Sequence, residues 1–167
     1  MIIETESLVN CIEDYTRAVA DARLPRAYRG ILSALVQFQA AWKAAHPSDS
    51  IGALYQGYMD MSFVAFAPAS LAEKRLKISL VFLHDTGFFS LWLAAGNREI
   101  QKRVSEALRL APLGTYSLCT LEPGVDAIIA SDVPKPYGFD ESEALTKELV
   151  AAAEAFTRDM ISLISCI

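Results

Sequence analysis

Apolar positions in the first part of the chain recur at helical spacing. Leu8, Ile12, Tyr15 and Val19 fall at i, i+4, i+7 and i+11, which predicts a helix over 4–22 with one apolar stripe. Pro25 interrupts it and fits the first turn of a second helix, over 25–45. Ile31, Leu35, Phe38 and Trp42 form one stripe of that helix, and Tyr28, Leu32 and Val36 form another beside it. So wide an apolar arc predicts a helix covered on two sides and laid across a sheet. The run HPSDS, 46–50, ends it.

From residue 54 the period changes to two. In LYQGYMDMSFVAF, 54–66, Tyr55, Met59, Met61, Phe63 and Ala65 point one way and Gln56, Tyr58, Asp60 and Ser62 the other. PASLAEKR, 68–75, reads as a short helix. LKISLVFLH, 76–84, and FFSLWLAA, 88–95, are rich in β-branched and aromatic residues and read as strands. GNREIQKRVSEALRLAPLG, 96–114, predicts a helix of about 13 residues that starts on an Asn97 cap and stops at Pro112 and Gly114. TYSLCTL, 115–121, and DAIIASDV, 126–133, read as two strands joined by the turn EPG. A final helix runs from 141 to 166, with Glu141 and Glu143 complementing its dipole.

The order is ααβββαββα, and the fold class is α+β. One mainly antiparallel sheet of about five strands carries packed helices, in a single domain over 1–167. The helix between the third and fourth strands leaves room for that pair to run parallel.

Composition narrows the function. Apolar residues make up 53% and charged residues 21%, enough for a full core. Charged residues interrupt every apolar run before ~18 residues, so no transmembrane helix and no membrane partner are expected. The start MIIETESLVNCIEDY has no basic n-region, so no secretory signal is expected and the location is read as cytoplasmic. A net charge of −5 speaks against nucleic acid, which needs a basic field. Cys11, Cys119 and Cys166 are odd in number and unpatterned, so they are expected as reduced, mostly buried thiols. No metal site and no cofactor are expected.

The tripeptide Asp85-Thr86-Gly87 is the one that carries the catalytic carboxylate in aspartic proteases. That chemistry needs two carboxylates sharing a proton, and the chain has one such tripeptide, preceded by His84 and followed by Phe88. The residues between the two strand runs fit a hairpin better, with Gly87 at a left-handed position. More promising is the polar face of 56–62, where Tyr58 and Asp60 meet His84 if its strand lies adjacent. Such a set would serve as general base, ligand anchor or metal ligand. At the strand-to-helix junction, Asn97 and Arg98 offer free N–H groups and a cation to a small anionic ligand. The plainer reading is a helix cap and a solvated face. No GxSxG, GxGxxG or GxxxxGK[ST] is present.

The stretches LYQGYMDMSFVAF and LKISLVFLHDTGFFSLWLAAGNREIQKRV resemble a family of uncharacterised bacterial proteins, from about residue 24 through the final helix. The resemblance implies bacterial origin and a single domain, and it carries over no catalytic residue. The element order is also similar to that of restriction-endonuclease-like folds, with Asp85 near the place of their first acid. The third strand, FFSLWLAA, has neither acid nor lysine, so a metal site of that type is incomplete. The expected function is a self-associating binding or interaction module without catalysis, given the surplus of aromatics for one small core. The alternative is a hydrolase or metal-dependent enzyme using Asp60, Tyr58 and His84.

Overall fold

The computed structural model of the chain describes residues 6–167. Helix α1 spans Leu8–Ala20 and α2 spans Arg23–Ala45. The earlier start expected for the first helix, at Glu4 and Thr5, lies outside the described residues. Ser7 caps α1 by accepting from the Val9 N–H at 3.2 Å. The chain breaks at Asp21, whose carboxylate accepts from the Arg23 N–H at 3.0 Å. Pro25 then sits in the first turn of α2, where its missing N–H breaks no helical bond. Along α2, Leu35, Phe38 and Trp42 are buried, whereas Val36 of the second predicted stripe is exposed. Tyr28 and Leu32 of that stripe are half-buried, and the helix packs on both β2 and α5.

The sheet contains β1 (Ser50–Ile51), β2 (Met61–Ala67), β3 (Leu76–Leu83), β4 (Phe88–Ala95) and β5 (Ala127–Asp132), in that spatial order. Every neighbouring pair is antiparallel. Three short or longer helices complete the chain: α3 (Ala69–Ala72), α4 (Arg98–Leu108) and α5 (Ser142–Ile164). The class is the expected α+β.

Three local expectations need correction. The helix-linked runs 88–95 and 115–121, which had room to pair in parallel, do not pair at all: the neighbour of β4 is β5, antiparallel, and 115–121 lies against β5 instead. Residues 115–121 are not a full strand. They touch β5 through one isolated bridge, Leu118 to Ile129, beside a register shift of the β4–β5 ladder between Leu93 and Ala94.

The third correction concerns 54–66, where only Met61–Ala67 is strand. Tyr55 bridges Phe63, so 50–55 and 61–67 are two arms of a hairpin and 56–60 is its loop. Gly57 and Met59 reverse the chain there with φ of +72° and +65°. An alternating pattern that runs through a tight turn looks the same as one that runs straight on.

Paired residues in an antiparallel sheet share a face. Val64 and Phe66 therefore lie beside Ile78, Leu80 and Phe82, and these beside Phe89, Leu91 and Leu93. The buried residues of α2, α4 and α5 join this face in one hydrophobic cluster. Val81 on the other face is buried but stands apart from that cluster, among the half-buried Phe63 and Trp92. Of the cysteines, Cys11 and Cys119 are half-buried and Cys166 is exposed, less buried than expected: Cys11 lies on α1, which has no buried residue, Cys119 lies in the 115–121 segment and Cys166 beyond the end of α5; all three are free thiols.

The β3–β4 connection is a hairpin. Leu83 pairs with Phe88, and the Gly87 N–H donates to Leu83 O at 2.8 Å with Gly87 at φ +68°. Asp85 is exposed at its tip. The loop is tied down by Lys135, whose Nζ donates to Thr86 O at 2.9 Å and lies 3.9 Å from the Phe88 ring centre.

Candidate functional site

The loops 56–60 and 84–87 meet the N-terminal half of α2 at one end of the sheet. His84, just after β3, places Nε2 2.9 Å from Ser62 Oγ. Ser62 is buried on β2 and donates its single hydroxyl proton to Gln56 O. With that proton on Gln56 O, Nε2–H of the neutral imidazole completes the bond to Ser62. A serine whose hydroxyl is held by a backbone carbonyl is not poised as a nucleophile. Tyr28 of α2 stacks on the ring at 5.7 Å between centroids, and Phe82 meets it edge-on at 5.3 Å.

Burial lowers the His84 pKa below the ordinary 6.5, and the charges of Asp60 and Asp85 oppose this more weakly. The unfolded chain then binds a proton before the folded one does. Stability should be fully present above 6.5 and decline as pH falls from there toward the lowered folded value. Melting temperatures of the wild type and His84→Gln between pH 7.5 and 5 check this. The wild type should lose stability more steeply than the variant, and parallel curves would count against the assignment.

Asp60 and Tyr58 do not join His84 as the alternation suggested. The Asp60 carboxylate folds back on its own turn and accepts from the Tyr58 N–H at 2.9 Å and the Met61 N–H at 2.7 Å. Those backbone bonds, first that from Tyr58, hold its pKa below the usual carboxylate value. Tyr58 is 90% exposed at the loop tip. His84 meets Asp60 through the backbone, its N–H donating to Asp60 O at 2.9 Å. The expected polar face is thus divided by the turn: Ser62 points to the core, and Tyr58 and Asp60 point to solvent.

Asn97 and Arg98 sit where the sequence placed them, at the start of α4. Asn97 Oδ1 accepts from the Ile100 N–H at 2.9 Å, an N-cap. Arg98 donates to Val125 O at 3.1 Å, to Gln101 Oε1 at 2.9 Å and to Glu122 O. The buried Gln101 side chain adds bonds to Val125 O and Ala127 O, at 2.9 and 3.2 Å. Arg98 therefore clamps the 122–125 turn onto α4, and its donors already face carbonyl oxygens.

Two of the concave regions lie against α2 and other elements of the core. The larger, about 640 Å³, lies between α2 and the 139–140 loop, with Arg26, Gly30, Ile31, Phe82, Phe139 and Asp140 on its walls. The other, about 450 Å³, lies between the end of α2 and α5. In it His46 Nε2 is 2.9 Å from Glu154 Oε1, His46 stacks on Trp42, and Trp42 Nε1 donates to Asp49 at 3.1 Å. The His46–Glu154 pairing has no signal in the sequence, because its members lie on elements that only the packing of α2 on α5 brings together. Among the described residues no group of three or more His, Cys, Asp or Glu side chains is placed to hold a metal ion, and no helix is long and apolar enough to cross a membrane.

No curated protein and no solved structure matches the chain. One family model does: a domain of unknown function, DUF7000, over residues 8–164. The match opens on the first residue of α1 and closes on the last of α5. It thereby takes in both flanking helices and the whole sheet, and the chain belongs to the DUF7000 family.

Proposed function

We propose that this domain acts by binding rather than by catalysis, and that it self-associates in the cytoplasm through α1. The observation that carries this reading is the exposure of the α1 apolar stripe: Leu8, Ile12, Tyr15 and Val19 are 74, 54, 53 and 40% exposed. No residue of this 13-residue helix is buried. A helix of that length with so little packing is marginal in water, so its apolar face needs a partner.

A second copy suits that face. The stripe is spaced 4-3-4, the a/d seam of a coiled coil. The flanking Val9, Cys11, Thr16 and Ala18 carry no charge, so two seams meet without repulsion. Glu13, Asp14 and Arg17 lie outside the seam, and Arg17 is already paired with Asp14 at 2.8 Å. With Val9 and Leu24 added, the exposures amount to roughly 500 Å² per copy, about 1,000 Å² between two, the lower bound for a specific interface. The family match includes the helix, which supports treating it as part of the working domain.

Sedimentation equilibrium tests the reading. The wild type should be a dimer, and Ile12→Glu/Tyr15→Glu a monomer with less helical circular dichroism. In a two-fold dimer each substitution acts twice, so dissociation should strengthen at least ~100-fold. A strictly monomeric wild type would overturn the proposal. So would a double variant that stays dimeric, which would move the contact to another face.

A further inference from the structure

We infer that the groove along α2 is a binding site for a small monoanionic acid with an extended apolar tail. The groove is the 640 Å³ region already described, a size typical of ligand sites. Its walls are apolar where Ile31, Phe82 and Phe139 line it, and Arg26 stands at its wide end. A narrower, more enclosed extension of about 80 Å³ continues from the same Gly30 and Phe139 to Ala34 and Leu145. The cation at the mouth matches a carboxylate head, and Phe139, Ala34 and Leu145 give a tail an apolar track through the extension, with Ser33, Gln37 and Ser142 at its rim. Arg26 and Ala34 are eight residues apart on α2, about 12 Å along its axis, the reach of an acid with on the order of ten carbons.

Two further observations sharpen the assignment. Arg23, one turn from Arg26, is neutralised by Asp21, at 2.7 Å, whereas among the described residues no carboxylate lies within ion-pair distance of Arg26. Arg26 is therefore the cation open to a ligand, and its planar fork suits a carboxylate. Asp140 on the opposite wall disfavours a second negative charge, which selects a monoanion over a phosphate ester.

Gly30 is the second observation. It lies inside α2, where glycine weakens a helix relative to alanine, and a Cβ built on it meets no atom within 4 Å. Nothing in this chain requires the missing side chain. Its absence keeps the groove floor open between the wide and narrow ends.

The test uses decanoate as the probe and decyltrimethylammonium, with the same tail and opposite charge, as the control. Calorimetry and thermal melts are run on the wild type and on Ile12→Glu/Tyr15→Glu, which disrupts the exposed apolar stripe of α1. Decanoate is expected to bind once per chain in both proteins and to raise the melting temperature, whereas the cation does neither. Arg26→Gln should weaken decanoate at least tenfold. Gly30→Leu should abolish binding while leaving the unliganded melting temperature equal or higher, since the side chain enters open space and removes a helix-interior glycine. The inference is overturned if decanoate shows no binding at millimolar concentration, if the cation binds equally, or if both groove variants bind as the wild type does. Loss of binding in the α1 double variant alone would overturn it too, by moving the tail to the α1 seam. The dimer proposal stands or falls separately, on oligomeric state.

Discussion

Phe66→Ala is expected to lower the stability of the domain by about 3–5 kcal/mol, read as the shift of a urea midpoint at unchanged slope. Phe66, near the end of β2 on the covered sheet face, is 1% exposed. Its ring lies 4.1 Å from Trp42 and 5.8 Å from Phe38, centre to centre. These three rings are the main seat of α2 on β2. Trp42 cannot follow into the vacated space, because its Nε1–H is held by Asp49 and its other side stacks on His46 at 4.2 Å. The cavity therefore stays open, and the cost falls in the upper part of the range for large-to-small changes. Against a total stability of ~5–15 kcal/mol, one substitution removes a large share. A loss under about 1 kcal/mol would mean that α2 does not depend on this seat.

Gly57→Ala should cost at least about 3 kcal/mol, although it adds one methyl group to an exposed loop. An alanine at φ +72° is already strained. Its Cβ would also stand 1.8 Å from Met61 O and 2.8 Å from Asp60 Oδ1. Met61 O belongs to the backbone of β2 and cannot step aside, so the loop must open. Opening breaks the two N–H bonds to Asp60 and the bond from Ser62 to Gln56 O, and Ser62 is buried. Gly30→Ala provides the matched control: the same chemical change is expected to stabilise by about 0.5–1 kcal/mol, because that site is helical and has room for the methyl. Equal effects at the two glycines would refute this account of loop 56–60.

Much of the fold can be read from residue spacing. Wherever a single period persists for a full element, as in Leu35, Phe38 and Trp42 or in LKISLVFL, the element and its buried side follow directly. Turn chemistry is equally legible where the residue type is distinctive, as at Gly87 and at the Asn97 cap. The reading fails at 54–60 for an identifiable reason. Gly57 is the one local turn signal there, but Met59 adopts a left-handed conformation that its residue type disfavours, and the alternation runs on through both. That conformation is held by Asp60 bonding its neighbours' N–H groups and by the hairpin partners on either side.

What the sequence determined by itself is the five helices, the cores of β2, β3, β4 and β5, the α+β class and the apolar stripe of α1, because each depends only on period and residue type along a continuous stretch. The stripe's exposure was decided elsewhere. α1 departs from the domain at Asp21, and among the described residues none buries its apolar stripe. Which residues form a site was likewise a matter for tertiary structure alone. His84 reaches Ser62 rather than Asp60 because β2 and β3 pair with Ser62 opposite Phe82, one residue pair from the strand end. Arg98 is engaged by carbonyl groups 24 and 27 residues away, and His46 meets Glu154 across 108 residues. The groove beside Arg26 exists because α2, β3 and the 139–140 loop converge there. Such contacts depend on how whole faces dock, and docking is set by the sum of buried apolar area over all elements at once rather than by any residue's immediate neighbours.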